Sequence, residues 1–282
     1  MGRVVAIANQ KGGVGKTTTA INLAASLAAA EKKILLVDMD PQSNTSSGSG
    51  TTVSEAKQVY HVLLGDLRIR EAVYSTEISR LRIVPATPDL IGFEVEGLSL
   101  NHREARLKNS LEEVRGEYDF ILIDCPPSLG LLTLNALAAA DSVLVPLQAE
   151  YFALEGLGRL INTIELVRAQ INPNLELEGI LLTMFDRRNN LAKQVAKEVE
   201  QHFGARVFTT RIPRNVRISE APSFGKPILL YDIRSVGAQS YLALAAEFLA
   251  RRQAAVKSGG EHEREESIGP GTVVVDPQPA AS

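Results

Sequence analysis

Half-cystine chemistry is all but missing from this chain of 282 residues: Cys125 is its one cysteine. An internal disulfide is therefore excluded, and the expectation is a reducing, cytoplasmic setting. A single thiol also cannot hold an iron–sulfur cluster, which needs several. The four histidines, His61, His102, His202 and His262, show no HxxxH spacing and read as structural or surface residues. No apolar run reaches the ~18 residues that would suggest a membrane span. The N-terminus lacks a charged segment followed by an apolar one, so no signal peptide is expected. Ala6 stands where myristoylation after Gly2 would need Ser or Thr. No internal repeat is apparent. The net charge of −3 decides nothing about nucleic acid, because a local basic patch can sit on an acidic whole.

What is present begins almost at once. Val4 to Asn9 form an apolar run of strand length, a glycine-rich turn follows, and Ala20, Ile21, Leu23, Ala24 and Leu27 then recur at helical spacing. Strand, glycine loop, helix is the setting in which a phosphate-binding motif is credible. Gly12, Gly13 and Gly15, lacking Cβ atoms, let the backbone aim several N–H groups at one point. The helix that starts there offers unpaired donors and the positive end of its dipole. Lys16 can reach the β- and γ-phosphates, and the Thr17 hydroxyl can ligate Mg²⁺.

Further on, Lys33–Asp38 and Tyr118–Asp124 read as fully buried strands, with further strand-like runs at Leu81–Pro85, Ser142–Pro146 and Leu177–Met184. Helical patterns fall around Val59–Leu64, Ser99–Arg115, Thr133–Ala140, Glu155–Gln170, Gln194–Phe203 and Ser235–Ala255. Residues 42–52, rich in Ser, Thr and Gly, predict a mobile loop. Alternation of this kind predicts one α/β domain over 1–256, a mostly parallel twisted sheet covered by helices on both faces. Ligands of such sheets sit beyond the carboxyl ends of the strands, where Gly12, Asp40 and Asp124 all fall. From 257 to 282 the glycine pair, mixed charges and prolines predict a disordered tail.

Asp124, ending an apolar strand, suits an aspartate that holds Mg²⁺ directly or through water. Phosphoryl transfer to water also needs a group that orients the attacking molecule. Asp38 and Asp40 are both candidates, two residues apart on one strand, and spacing alone does not choose between them. Arg187, Arg188, Lys193, Lys197, Arg211, Arg214 and Arg217 crowd one stretch of the chain, as a phosphate-contacting surface requires. A solvated charged face accounts for them equally well.

The loop departs from the common GxxxxGK pattern, because Gln10 stands where the first glycine belongs and Lys11 follows. This KGGVGKT form resembles the deviant Walker A motif of the ParA/MinD group of P-loop ATPases. NQKGGVGKTT, LLVDMDPQ, FILIDCPPSLG, LLTMFD and IPRNVRISEAPSFGKPI together resemble the chromosomal Soj/ParA type of partition ATPase. The resemblance implies that Lys11 reaches across an ATP-bound homodimer to the other subunit's phosphates. It implies that Asp40 positions the water while Asp38 supports the Mg²⁺ shell with Thr17 and Asp124. The implied nucleotide set is Asn9, Lys11, Gly12, Gly13, Val14, Gly15, Lys16, Thr17 and Thr18 on the loop, with Met184, Pro213, Arg214 and Asn215 from later segments. Non-specific double-stranded DNA binding is implied for Arg188 and Arg217, with a location on the nucleoid and a ParB-like (Spo0J-like) centromere-binding partner. A lone aspartate without a glutamine or arginine finger predicts slow turnover, within a decade or two of the ~10⁻⁴–10⁻² s⁻¹ of unstimulated GTPases. Three other readings stand beside this one. A membrane-surface positioning ATPase like MinD would need a C-terminal amphipathic basic helix, which the acidic tail does not supply. An iron–sulfur scaffold relative would need paired cysteines, and a ParA-like positioner of another cargo would use the same switch with a different activator.

Overall fold

The computed structural model describes residues 2–150 and 153–266. Two units make up the chain, Met1–Ala245 and Ala246–Ser282. The first is an α/β domain around a seven-stranded sheet with the strand order β3-β4-β2-β5-β1-β6-β7. The strands are β1 (Arg3–Ile7), β2 (Ile34–Asp38), β3 (Tyr74–Ser75), β4 (Leu81–Val84), β5 (Phe120–Asp124), β6 (Ser142–Gln148) and β7 (Glu176–Thr183). All pairs are parallel except the two-residue edge strand β3, which runs antiparallel to β4. β2 and β5 are buried at every position. That is why they read as unbroken apolar runs rather than alternating ones.

Helices cover both faces, as crossovers between parallel strands require. They are α1 (Lys16–Ala29), α2 (Asn44–Gly48), α3 (Val59–Leu64), α4 (Phe93–Glu96), α5 (Arg106–Glu112), α6 (Leu131–Ala139), α7 (Ala153–Gln170), α8 (Asn190–Phe203), α9 (Val216–Glu220), α10 (Ile228–Tyr231) and α11 (Val236–Glu266). α1 is buried along almost its whole length. Its Ala20, Ala24, Ala25 and Ala28 explain how it comes so close to its neighbours: small side chains keep the helix axis near the sheet. α8 is amphipathic, with Ala192, Val195, Ala196 and Val199 inward, and the Asn189 side chain caps it through the N–H groups of Leu191 and Ala192. α6 ends against Asn172, whose amide donates to the carbonyls of Leu137, Ala138 and Ala140. Those orphan acceptors would otherwise be buried without partners.

Three differences from the sequence reading have physical causes. Where composition predicts a mobile loop, Asn44–Gly48 form a helical turn with Thr45 and Ser46 buried; their hydroxyls bond inward instead of to water. The single helix expected over Ser99–Arg115 is broken into a 3₁₀ turn at Arg103–Ala105, α5, and a second 3₁₀ turn at Arg115–Glu117. His102, in the left-handed region at φ 50°, marks the break, a conformation no helix interior holds. Finally, α11 runs to Glu266, past the helix end expected near Ala255, because elongating a formed helix needs no new nucleus. The compact unit closes at Ala245, and residues 267–282 lie outside the described residues.

Candidate functional site

The parallel registers align three chemical groups at one sheet edge. Ile7, the last residue of β1, is level with Asp124, and Asp124 is level with Asp38 on the other side. Beyond these strand ends lies a cleft of about 540 Å³. Gly12, Gly13, Gly15, Lys16, Thr17 and Thr18 form its floor. Asp40, Asn44 and Pro127 stand on one side, and Thr183, Met184, Pro213, Arg214 and Asn215 on the other.

The loop holds its shape through its own residues. Asn9 is buried; its amide donates to the Pro146 carbonyl at 2.7 Å while its oxygen accepts from the Lys11 N–H at 3.0 Å. Thr183 donates to the Val14 carbonyl at 2.8 Å, tying the loop to the end of β7. Gly13 and Gly15 sit at φ 74° and 87°, conformations that a side chain would strain. Gly12 and Gly13 face open space, with no atom within 4 Å of an added Cβ. The room there is reserved for whatever enters the cleft. Lys16 is buried, and desolvation lowers its pKa while Asp124, Cys125 and Asp40 act to raise it. Its ammonium donates to the Lys11 carbonyl at 3.3 Å. A desolvated cation beside convergent backbone N–H groups is an anion site.

The acidic side of the cleft is more specific than the sequence suggested. Oδ2 of Asp124 accepts from Thr17 Oγ1 at 2.8 Å and from Thr45 Oγ1 at 2.6 Å. Its Oδ1 is buried with no partner, and burial, with Asp38 nearby, pushes its pKa upward. An orphaned carboxylate oxygen, with the Thr17 hydroxyl on the other oxygen of the same group, is a hard all-oxygen donor set that suits Mg²⁺. No cluster of three or more His, Cys, Asp or Glu able to hold a metal occurs among the described residues, so such an ion would rely on phosphate oxygens and water as well. Asp38 fits direct ligation less well. Oδ1 accepts from the Asp40 N–H at 3.1 Å, and Oδ2 accepts from both the N–H and hydroxyl of Ser46 at 2.9 and 2.7 Å. Fully buried, it braces the Asp40 turn against α2; burial raises its pKa as well. β2 ends at Asp38, so Asp40 lies past the strand and lines the cleft, its carboxylate held by the Gln42 N–H at 2.9 Å.

Thr45, Ser46 and Thr183 are the functional neighbours that the sequence reading missed. Their signal was there in outline, as hydroxyl residues just after the aspartates and at the end of β7, but which hydroxyl meets which carboxylate is a tertiary fact. Cys125 is buried, and burial next to Asp124 pushes its thiol pKa up, the mark of an inert packing residue. Lys11 is half-exposed and forms an ion pair with Glu150 at 2.5 Å within its own chain. Arg188 is 91 % exposed and pairs with Asp186 at 3.1 Å. Arg217 pairs with Glu220 at 3.0 Å and approaches Asp232 at 3.7 Å. Next to them runs an open groove of about 640 Å³ lined by Arg187, Lys193 and Arg211. Arg187, Arg188, Lys193, Arg211 and Arg214 of the basic stretch thus line neighbouring grooves, with Arg214 also lining the cleft, whereas Arg217 and Lys197 line neither groove. No helix among the described residues is long and apolar enough to cross a membrane.

A glycine loop between strand and helix, with a buried lysine, a strand-end aspartate and a threonine hydroxyl at its foot, defines a P-loop ATPase. The AAA domain family matches residues 2–177. Across 252 residues the chain is 60 % identical to the chromosome partitioning protein ParA of Myxococcus xanthus, covering 89 % of each. It is 54 % identical over 251 residues to the sporulation initiation inhibitor protein Soj of Bacillus subtilis, covering 89 % of this chain and 99 % of that one. A cobyrinic acid a,c-diamide synthase from Mycobacterium smegmatis, solved with bound ADP and magnesium, superposes with a TM-score of 0.79 at 37 % identity, over 90 % of this chain and 97 % of that one. The chain belongs to the ParA/Soj family of partition ATPases.

Proposed function

We propose that the protein is an ATP-driven DNA-segregation switch. ATP enters the cleft with its phosphates on the glycine loop and Lys16, and its base toward Met184, Pro213, Arg214 and Asn215. Thr17 and Asp124 hold Mg²⁺, which when bound neutralises charge on the β- and γ-phosphates. Asp40 accepts a hydrogen bond from a water and aims it at the γ-phosphorus; the water oxygen bonds to phosphorus as the bond to the bridging oxygen breaks, the water's protons leave with inorganic phosphate, and Lys16 meets the charge left on ADP. Lys11 exchanges its pair with Glu150 for the phosphates of a second copy, closing a homodimer around two nucleotides. The paired basic surfaces, Arg188 and Arg217 among them, then hold non-specific double-stranded DNA on the nucleoid, largely through phosphate contacts. Hydrolysis opens the dimer, and a ParB-like centromere-binding protein accelerates it.

The observation that carries this reading is the Asp124 carboxylate, orphaned on one oxygen and bound by Thr17 on the other, next to a loop whose Gly12 and Gly13 face open space. Identity of 60 % to a partition protein, against 37 % to the diamide synthase, favours the segregation role. The test is ATPase activity measured with DNA, with and without the cognate ParB-like protein. A low basal rate raised by the two together supports the switch. A rate indifferent to both would remove it.

A further inference from the structure

Thr45, Ser46, Ser47 and Ser49 stand together on α2 and just after it, yet their hydroxyls behave differently. Ser47 and Ser49 bond back to backbone carbonyls four residues earlier, those of Ser43 at 3.1 Å and Thr45 at 2.7 Å. That is the usual resort of a hydroxyl on a helical turn. Ser46 instead donates to Asp38 Oδ2 at 2.7 Å and accepts from the Ala86 N–H at 3.0 Å. Thr45, fully buried, reaches past its own turn and donates to Asp124 Oδ2 at 2.6 Å.

That oxygen already receives Thr17 at 2.8 Å. Thr17 spends its hydrogen there and keeps its lone pairs. Donors from α1 and α2 thus converge on Oδ2, while Oδ1, equally buried, has no partner among the described residues. The two oxygens of a carboxylate are chemically equivalent, so the uneven division comes from the fold around them. Nor is α2 free to withdraw its hydroxyl. A Cβ on Gly48 would lie 2.8 Å from Ile21 Cδ1, and one on Gly50 would lie 2.6 Å from the Gly225 carbonyl oxygen. The turn is packed against α1 on one side and the segment before α10 on the other, by contacts in which Asp124 takes no part.

We infer that Thr45 is a positioning residue that fixes Asp124 as a one-oxygen ligand and so makes the metal site select Mg²⁺ over Ca²⁺. With Oδ2 taken by Thr45 and Thr17, only Oδ1 is left for the ion or for a water on it. Ca²⁺ takes more oxygen ligands and often both oxygens of one carboxylate. Mg²⁺ demands near-octahedral geometry, keeps several waters and needs few carboxylate oxygens. A carboxylate that cannot offer its second oxygen therefore favours the smaller ion. The inference rests on the magnesium role given above to Thr17 and Asp124.

Calorimetry of ADP binding to the full chain, at stepped concentrations of Mg²⁺ or of Ca²⁺, tests it. In wild type, Mg²⁺ should tighten ADP binding at lower concentration than Ca²⁺ does. Thr45→Val keeps the shape and removes the donor. The Mg²⁺ concentration for half-maximal tightening should then rise about 10–100-fold, while that for Ca²⁺, now offered both oxygens, rises less or falls. Thr45→Ser restores a donor and should return both values to those of wild type. ADP binding without metal should be the same in all three proteins. Equal changes for the two ions in Thr45→Val, no change for either, or no recovery in Thr45→Ser overturns the inference and leaves the magnesium reading standing. Loss of metal-free ADP binding in Thr45→Val also overturns it, by assigning the hydroxyl to the fold of the cleft. If ADP binding by wild type is indifferent to Mg²⁺, the magnesium reading itself fails and the inference with it.

Discussion

Gly130 stands at the start of α6 with φ −77° and ψ −169°, an ordinary extended conformation open to any residue. Yet a Cβ there would lie 2.3 and 2.6 Å from the two carboxylate oxygens of Glu94, so Gly130→Ala must expel the side chain that caps α6. Losing the cap, which leaves the part-buried N–H groups of Leu131 and Leu132 without the carboxylate, costs about 1–3 kcal/mol in all. Against this, alanine restricts the unfolded chain and returns roughly 0.4–1 kcal/mol. The net expectation is a loss of about 1–2 kcal/mol, or roughly 2–8 °C in melting temperature for a domain of this size. The sign should reverse in a Glu94→Ala background: with no carboxylate to expel, the same glycine substitution becomes neutral or stabilising by a few tenths of a kcal/mol. Urea denaturation of the four proteins in the cycle measures the coupling directly. Equal destabilisation by Gly130→Ala with and without Glu94 would refute the steric argument.

Lys16→Ala removes the buried cation of the loop and should abolish ATP binding in calorimetry; retained tight binding would contradict the phosphate assignment. Arg188→Glu or Arg217→Glu should weaken DNA binding in gel shifts about tenfold or more and flatten the salt dependence by about one counterion, leaving ATP binding intact. Conversely, Asp186→Asn removes the carboxylate that competes for Arg188, and DNA affinity at low salt should rise. Burial raises the pKa of Asp124 from its ordinary carboxylate value to about 7. The nucleotide-free folded chain therefore holds more protons than the unfolded one from about pH 4 to about 7, and stability falls as pH rises through that window. Asp124→Asn should flatten this part of the profile in thermal melts without metal; an unchanged slope would show that the carboxyl is not responsible.

The parts of the fold legible in the sequence were those set by local pattern. β1, β2 and β5 announced themselves because strands buried on both faces leave uninterrupted apolar runs, and the glycine loop because its spacing leaves few other geometries. The site's polar order was less visible. That Asp40 rather than Asp38 faces the cleft follows from β2 ending at Asp38 and from Ser46 occupying its carboxylate, a pairing eight residues apart that no periodicity encodes. α2 was hidden for a related reason: Ser and Thr favour loops when their hydroxyls bond to the local backbone, but here Thr45 and Ser46 bond to buried aspartates. The edge strand β3, only two residues long, leaves no pattern to read.

Light scattering of the Asp40→Ala protein, with hydrolysis blocked and Mg-ATP saturating, tests the central claim most directly. The account predicts a mass near twice the 30.5 kDa of one chain, reverting to one chain in ADP, with DNA retained only by the larger species. A single-chain mass in ATP, or equal DNA retention in both nucleotides, would contradict it.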